Sequence, residues 1–102
     1  MEINTDGRML VLSGDFDARS TWAVRAALYE QLDGYERDIV VDLTGVTMVD
    51  LTALRLLAAA SLAAGQRGHR LTVRGCRPAV RRMMHLSRLA RFVEVERAAA
   101  TA

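Results

Sequence analysis

Two neighbouring stretches decide most of what this chain can fold into. Ile39-Val40-Val41 is a β-branched apolar run with little alternation, and Leu51-Thr52-Ala53-Leu54 opens an Ala- and Leu-rich segment at helical spacing. β-Branched side chains are stiff and favour extended backbone, whereas Ala and Leu are strong helix formers. The pattern predicts a strand over 38–43 and a helix over about 51–66, joined by a polar loop that ends in Asp50. A strand without alternation is expected to be covered on both faces.

The same change of period recurs along the chain. Ile3-Asn4, the turn signal Asp6-Gly7 and Met9-Leu10-Val11-Leu12 read as a hairpin, closed by Gly14 and Asp15. Ser20 is the expected N-cap of a first helix to about Leu32, with Trp22, Val24, Ala27, Leu28 and Leu32 near its inward spacing and Gly34 as its stop. In the second helix Leu51, Leu54, Leu57, Ala58, Ser61 and Leu62 trace the expected buried face, with Gly65 and Gly68 near its end. Leu71-Thr72-Val73 follows as a strand. Pro78 opens a third helix whose Val80, Met83, Met84 and Leu86 are expected to point inward. Phe92-Val93-Glu94-Val95 reads as the last strand. Strands alternating with helices imply a parallel or mixed sheet with helices packed on it, so the fold class is α/β. At 102 residues the chain is read as one domain over 1–97, and the tail Ala98–Ala102 has nothing to bury.

Charge is unevenly distributed. Residues 1–50 hold four Arg against ten Asp or Glu, and residues 51–102 hold ten Arg against two Glu, with no lysine anywhere. Eight of the arginines lie between Arg67 and Arg91. They spread over several elements with few aromatics between them, which suits a docking patch for an acidic protein better than a nucleic-acid footprint. No window approaches the roughly 18 apolar residues of a membrane span, and the N-terminus lacks the basic start and apolar core of a signal peptide. With a single cysteine, Cys76, the chain reads as cytoplasmic.

Catalytic patterns are scarce. His69 and His85 are sixteen residues apart with no Cys or second His at ligand spacing, so no zinc site is expected. There is no Gly-rich phosphate loop, and Ser13-Gly14-Asp15 is a strand end rather than a nucleophile elbow. Asp42 and Asp50 lack the adjacent acidic pair a phosphoacceptor aspartate needs to hold a divalent metal. No enzyme activity, cofactor or metal is expected. Cys76 stands in a turn beside arginines that would lower a thiol's pKa, but a lone cysteine is most simply read as inert. That leaves Asp50 and Thr52. On spacing alone, Asp50 caps a helix and Thr52 is a passenger in its first turn. Alternatively, a phosphate on Thr52 would meet free N–H groups and the positive end of the helix dipole, adding a charge of roughly −1.5 to −2.

Three segments weigh on that choice. Val11-Leu12-Ser13-Gly14-Asp15-Phe16-Asp17 resembles an "LSGELD" strand end, and Asp42-Leu43 through Leu54 resembles a "DL…V/MDSSGL" signature. Arg77-Pro78-Ala79-Val80-Arg81-Arg82-Met83 with Leu86-Ser87-Arg88-Leu89 resembles an "SPAVRRLFELSGL" helix. In this order and spacing they resemble the STAS domain of bacterial anti-sigma factor antagonists over almost the whole chain. The resemblance implies a single STAS-like domain, with a mixed, mostly parallel sheet of four to five strands flanked by three to four helices. It also implies a partner that is both an anti-sigma factor and a serine/threonine kinase, with a phosphatase resetting the switch and a homodimer left open.

The phosphoacceptor of the motif falls on Thr52 and its Asp on Asp50, while Leu51 and Ala53 stand where the motif has Ser and Gly. Asp50, Leu51, Thr52, Ala53, Asp17 and Arg55 are the expected partner-binding residues. Some small STAS proteins are instead subunits of ABC-type lipid transporters, bound to the ATPase, and their "VDTGGL"-like signature also admits a Thr near this position. A small-ligand-binding STAS domain is a third reading, for which the sequence carries no pocket signature.

Overall fold

The computed structural model describes residues 1–34 and 38–96. Two strands, β1 (Glu2–Asp6) and β2 (Met9–Phe16), form an antiparallel hairpin whose turn contains Gly7 at φ 60°. Helix α1 (Thr21–Gly34), strand β3 (Ile39–Val49), helix α2 (Leu51–Gln66) and strand β4 (Leu71–Arg74) follow. Helix α3 (Pro78–Leu86), a 3₁₀ turn (Leu89–Phe92) and the short strand β5 (Glu94–Val95) complete the described chain. The sheet order is β1-β2-β3-β4-β5, antiparallel in the first pair and parallel in the other three. The α/β expectation holds, with five strands and three α-helices. The Ala98–Ala102 tail lies outside the described residues.

Each strand is joined to its parallel neighbour through a helix in chain order, and such crossovers are right-handed. Helices produced this way gather on one face of the sheet. Leu10 and Leu12 of β2, Ile39, Val41 and Leu43 of β3, and Leu71 and Val73 of β4 point into a single core. Val24 and Leu28 of α1, Leu54 and Leu57 of α2, and Val80 and Met84 of α3 complete it. The opposite face carries Met9, Val11, Val40, Asp42 and Thr72, all only half-buried. Strand β3 is thus central but covered on one face, not on both as its lack of alternation suggested.

Four further expectations are corrected. The polar stretch after Leu43 is not a loop, because β3 continues to Val49 and pairs with Ser13–Phe16 of β2. In α1 the buried residues are Val24, Leu28, Gln31 and Leu32, while Trp22 is 75% exposed. Trp22 lies about 200° around the helix from Val24 at 100° per residue, so it cannot share that face. In α2 the inward face is Ala53, Leu54, Leu57, Ala58, Ala60 and Ala64, which leaves Leu51 and Leu62 exposed. Likewise α3 buries Val80 and Met84 and turns Met83 and Leu86 outward. Small alanines let α2 approach the sheet closely, and the larger leucines at its flanks are left to solvent.

Candidate functional site

One residue makes the turn between β3 and α2. Asp50 is extended (φ −108°, ψ 177°), and its Oδ1 accepts the Ala53 N–H at 2.9 Å while its backbone carbonyl accepts the Leu54 N–H at 3.1 Å. This is the expected N-cap, satisfying one of the donors a helix start leaves unpaired. The second carboxylate oxygen reaches elsewhere. Oδ2 accepts the Ala18 N–H at 2.9 Å, and the Asp50 N–H donates to the Phe16 carbonyl at 3.3 Å. Asp50 therefore ties the start of α2 to the loop that precedes α1.

That loop is organised by Asp17, which is only 8% exposed. Its Oδ1 accepts the Arg19 N–H at 3.0 Å, and its Oδ2 pairs with Arg19 Nη2 at 2.7 Å. The hydrogen bond from Arg19 holds the Asp17 carboxyl below the usual carboxylate range, against the opposing effect of desolvation. The Asp17 carbonyl accepts the N–H groups of Ser20 and Thr21 at 3.0 and 3.1 Å. Ser20 stands at the cap position, since its carbonyl receives the Val24 N–H at 3.1 Å. Its hydroxyl does not cap the helix, however. It accepts the Asp17 N–H at 3.1 Å and so fastens the loop behind it. On the strand side, the Thr47 hydroxyl donates to Asp15 Oδ1 at 2.9 Å.

With both loops fixed, α1 and α2 start at the same end of the molecule and leave a groove of about 420 Å³ between them. Thr52, Arg55, Leu56 and Ala59 line it from α2, and Thr21, Trp22, Arg25 and Tyr29 line it from α1. Thr52 is exposed, two residues into the helix. Arg55 is one helical turn further on, on the same face. Arg25 lies 5.7 Å from the centre of the Tyr29 ring, a cation–π distance.

Residues 1–94 match the family model described as Mlab, STAS domain. The chain belongs to the STAS domain family. No curated protein is a significant match to it. Among solved structures, this STAS domain is similar to a putative anti-sigma factor antagonist from Thermotoga maritima, with 16% identity over 97% of this chain and 87% of that one, at a TM-score of 0.78. An anti-sigma factor antagonist from Mycobacterium paratuberculosis is 24% identical over 96% and 85% of the two chains, at a TM-score of 0.75. The antagonist SpoIIAA in its unphosphorylated form is 15% identical over 93% and 86%, at a TM-score of 0.73. The same protein is also known in a phosphorylated form. At these identities the likeness is one of fold.

The expected site residues of the STAS domain separate into three groups. Leu51, Thr52 and Arg55 are exposed at the start of α2 and are available to a partner. Asp50 and Asp17 are half-buried and buried, and their carboxylates serve the two loops. Ala53, expected among them, cannot meet a partner: its side chain is fully buried in the core and its N–H is taken by Asp50. Trp22, Arg25 and Tyr29 belong to the groove and escaped the sequence reading. Their signal was the placement of Val24, Leu28 and Leu32, which turns positions 22, 25 and 29 off the core face.

Burial pushes the Cys76 thiol up, and the Arg81 charge only partly offsets this, which suits an inert thiol rather than a reactive one. Among the described residues no three His, Cys, Asp or Glu side chains converge as metal ligands. No described helix is long and apolar enough to cross a membrane.

Proposed function

We propose that this STAS domain is an anti-sigma factor antagonist. It binds an anti-sigma factor that is also a serine/threonine kinase, frees the sigma factor held by that partner, and loses its grip once Thr52 is phosphorylated. The observation that carries the reading is the exposed hydroxyl of Thr52 in the first turn of α2, at the mouth of the α1–α2 groove and beside a fixed cap. An acceptor must be reachable by a kinase and must lie where an added charge changes the docking surface, and Thr52 meets both conditions. The ATP and the catalytic groups belong to the partner. In the transfer, Thr52 Oγ1 bonds to the γ-phosphorus of ATP as the bond to the β,γ-bridging oxygen breaks. ADP leaves, and the hydroxyl proton passes to a base of the partner. A phosphatase then hydrolyses the ester and restores the threonine.

Mapping of phosphopeptides after incubation in native lysate with ATP tests the reading. Phosphate is expected on Thr52 and absent from Thr52→Ala. Unmodified Thr52, or phosphate elsewhere that persists in Thr52→Ala, would refute it.

A second reading is motivated by Leu51 and Ala53, which depart from the Ser and Gly of the switched motif. Here the same surface docks without a switch, as a STAS subunit on the ATPase of an ABC-type lipid transporter. Neighbouring genes separate the two, a kinase-like ATPase for the first and a permease for the second.

A further inference from the structure

The groove at Thr52 carries two arginines, one from each helix. Arg55 follows Thr52 by three residues, so the two side chains rise from the same face of α2 about one turn apart. Arg25 stands across the groove on α1, within the same lining as Thr52 and Arg55. Among the described residues neither arginine has an ion-pair partner. Arg25 has only the face of Tyr29 beneath it. The nearby acids are already engaged: Asp50 by the N–H groups of Ala53 and Ala18, and Asp17 by Arg19. A guanidinium presents a planar fork of donors that matches phosphate oxygens, and two such side chains line the same groove as the Thr52 hydroxyl.

We propose that the phosphate on Thr52 is received within the same chain by Arg55 and Arg25, which clamp it across the α1–α2 groove. The proposal deepens the phosphorylation reading and rests on Thr52 being the acceptor. Its consequence is that phosphorylation does more than add repulsion. It removes both cations from the surface offered to an acidic partner segment, and it adds a tie across the groove between α1 and α2. The carboxylate nearest in sequence, Asp50 at the helix start, is committed to its two N–H donors. Asp17 is ion-paired with Arg19.

The experiment uses the whole chain with phosphothreonine placed at position 52 during synthesis, so that no kinase is needed. The second ionisation of the phosphate is followed by ³¹P NMR against pH and compared with the same chain unfolded in urea, where phosphothreonine titrates near pH ~6. Cations within reach favour the dianion, so the folded protein should titrate about one unit lower than the unfolded chain. Arg55→Gln and Arg25→Gln should each return part of that shift, and the double variant nearly all of it. Both positions are exposed, and melts of the unphosphorylated variants should match wild type. An unshifted phosphate would overturn the clamp, and so would a shift that survives in the double variant, which would leave the helix N-terminus as the sole receiver. Because the phosphate is installed chemically, these results stand apart from whether the cell phosphorylates Thr52. Phosphopeptide mapping alone decides that.

Discussion

Asp50 does two jobs with one side chain, capping α2 through Oδ1 and holding the Ala18 N–H through Oδ2. A capping Asp replaced by Ala ordinarily costs about 0.5–2 kcal/mol. Loss of the second bond puts Asp50→Ala toward the upper end, lowering the melting temperature by about 4–8 °C per kcal/mol for a domain of this size. Asp50→Asn should lose less, because Asn caps well. Equal melts for wild type and Asp50→Ala would contradict the role. Asp17 supplies a pH signature. Its carboxyl titrates below its ordinary value when folded, because Arg19 donates to it. The stability it contributes is therefore fully present above the unfolded value and is lost as pH falls through the folded one. Arg19→Ala should flatten this part of the acid limb by lowering stability at neutral pH while leaving stability at the acid end little changed. Denaturant titrations from pH 7 down to the acid side of the carboxylate range check it, and identical acid limbs would contradict it.

At the scale of elements, β3 shows what the sequence concealed. Its buried residues are Ile39, Val41, Leu43, Val46 and Val49, so the spacing changes from two to three. The register explains the change: against β2 it shifts between Val11 and Ser13 and again between Gly14 and Asp15, each time with an extra residue in β3. Bulges of this kind break the period on which strand recognition depends, and the second half of β3 therefore reads as a loop. Gly45 sits at the first of them, where a Cβ would lie 2.6 Å from Ser13 Cβ. Gly45→Ala should destabilise the domain by about 1–3 kcal/mol, since neither strand can retreat without losing pairs. An unchanged chemical-denaturation midpoint would show that the strands do separate there. Helices were legible in extent but not in rotation. The start of α2 at Leu51 and of α3 at Pro78 follow from Asp50 and from proline at the first helical position. The inward faces depart from the expected spacing where a large apolar residue stands beside a small one, as at Leu51 and Ala53, and where two large ones are adjacent, as at Met83 and Met84. For the same reason Thr52 and Arg55 were legible as site residues, through the resemblance, while Trp22 and Arg25 were not.

At the scale of the whole molecule, the sheet order follows the chain order, so sequence position becomes position across the sheet. The acidic first half forms the β1-β2-β3 side, and the arginine-rich segment 67–91 forms the other. Part of that basic charge is spent internally, on Arg67–Asp33, Arg70–Glu94 and Arg74–Glu96 pairs. Everything hangs on the central strand. Val41 is fully buried in β3, between β2 and β4. Val41→Asp should abolish cooperative folding, because a carboxylate there has no partner and its burial costs several kcal/mol. A soluble variant with a wild-type melt would contradict the one-sided core.

The central claim, a partner surface switched at Thr52, is tested most directly by affinity capture from native lysate with wild-type, Thr52→Ala and Thr52→Glu baits, read by mass spectrometry. The account predicts a kinase-like ATPase retained by Thr52→Ala and lost from Thr52→Glu, with both variants melting as wild type. The same ATPase held equally by all three baits, or a transporter ATPase in its place, would contradict it.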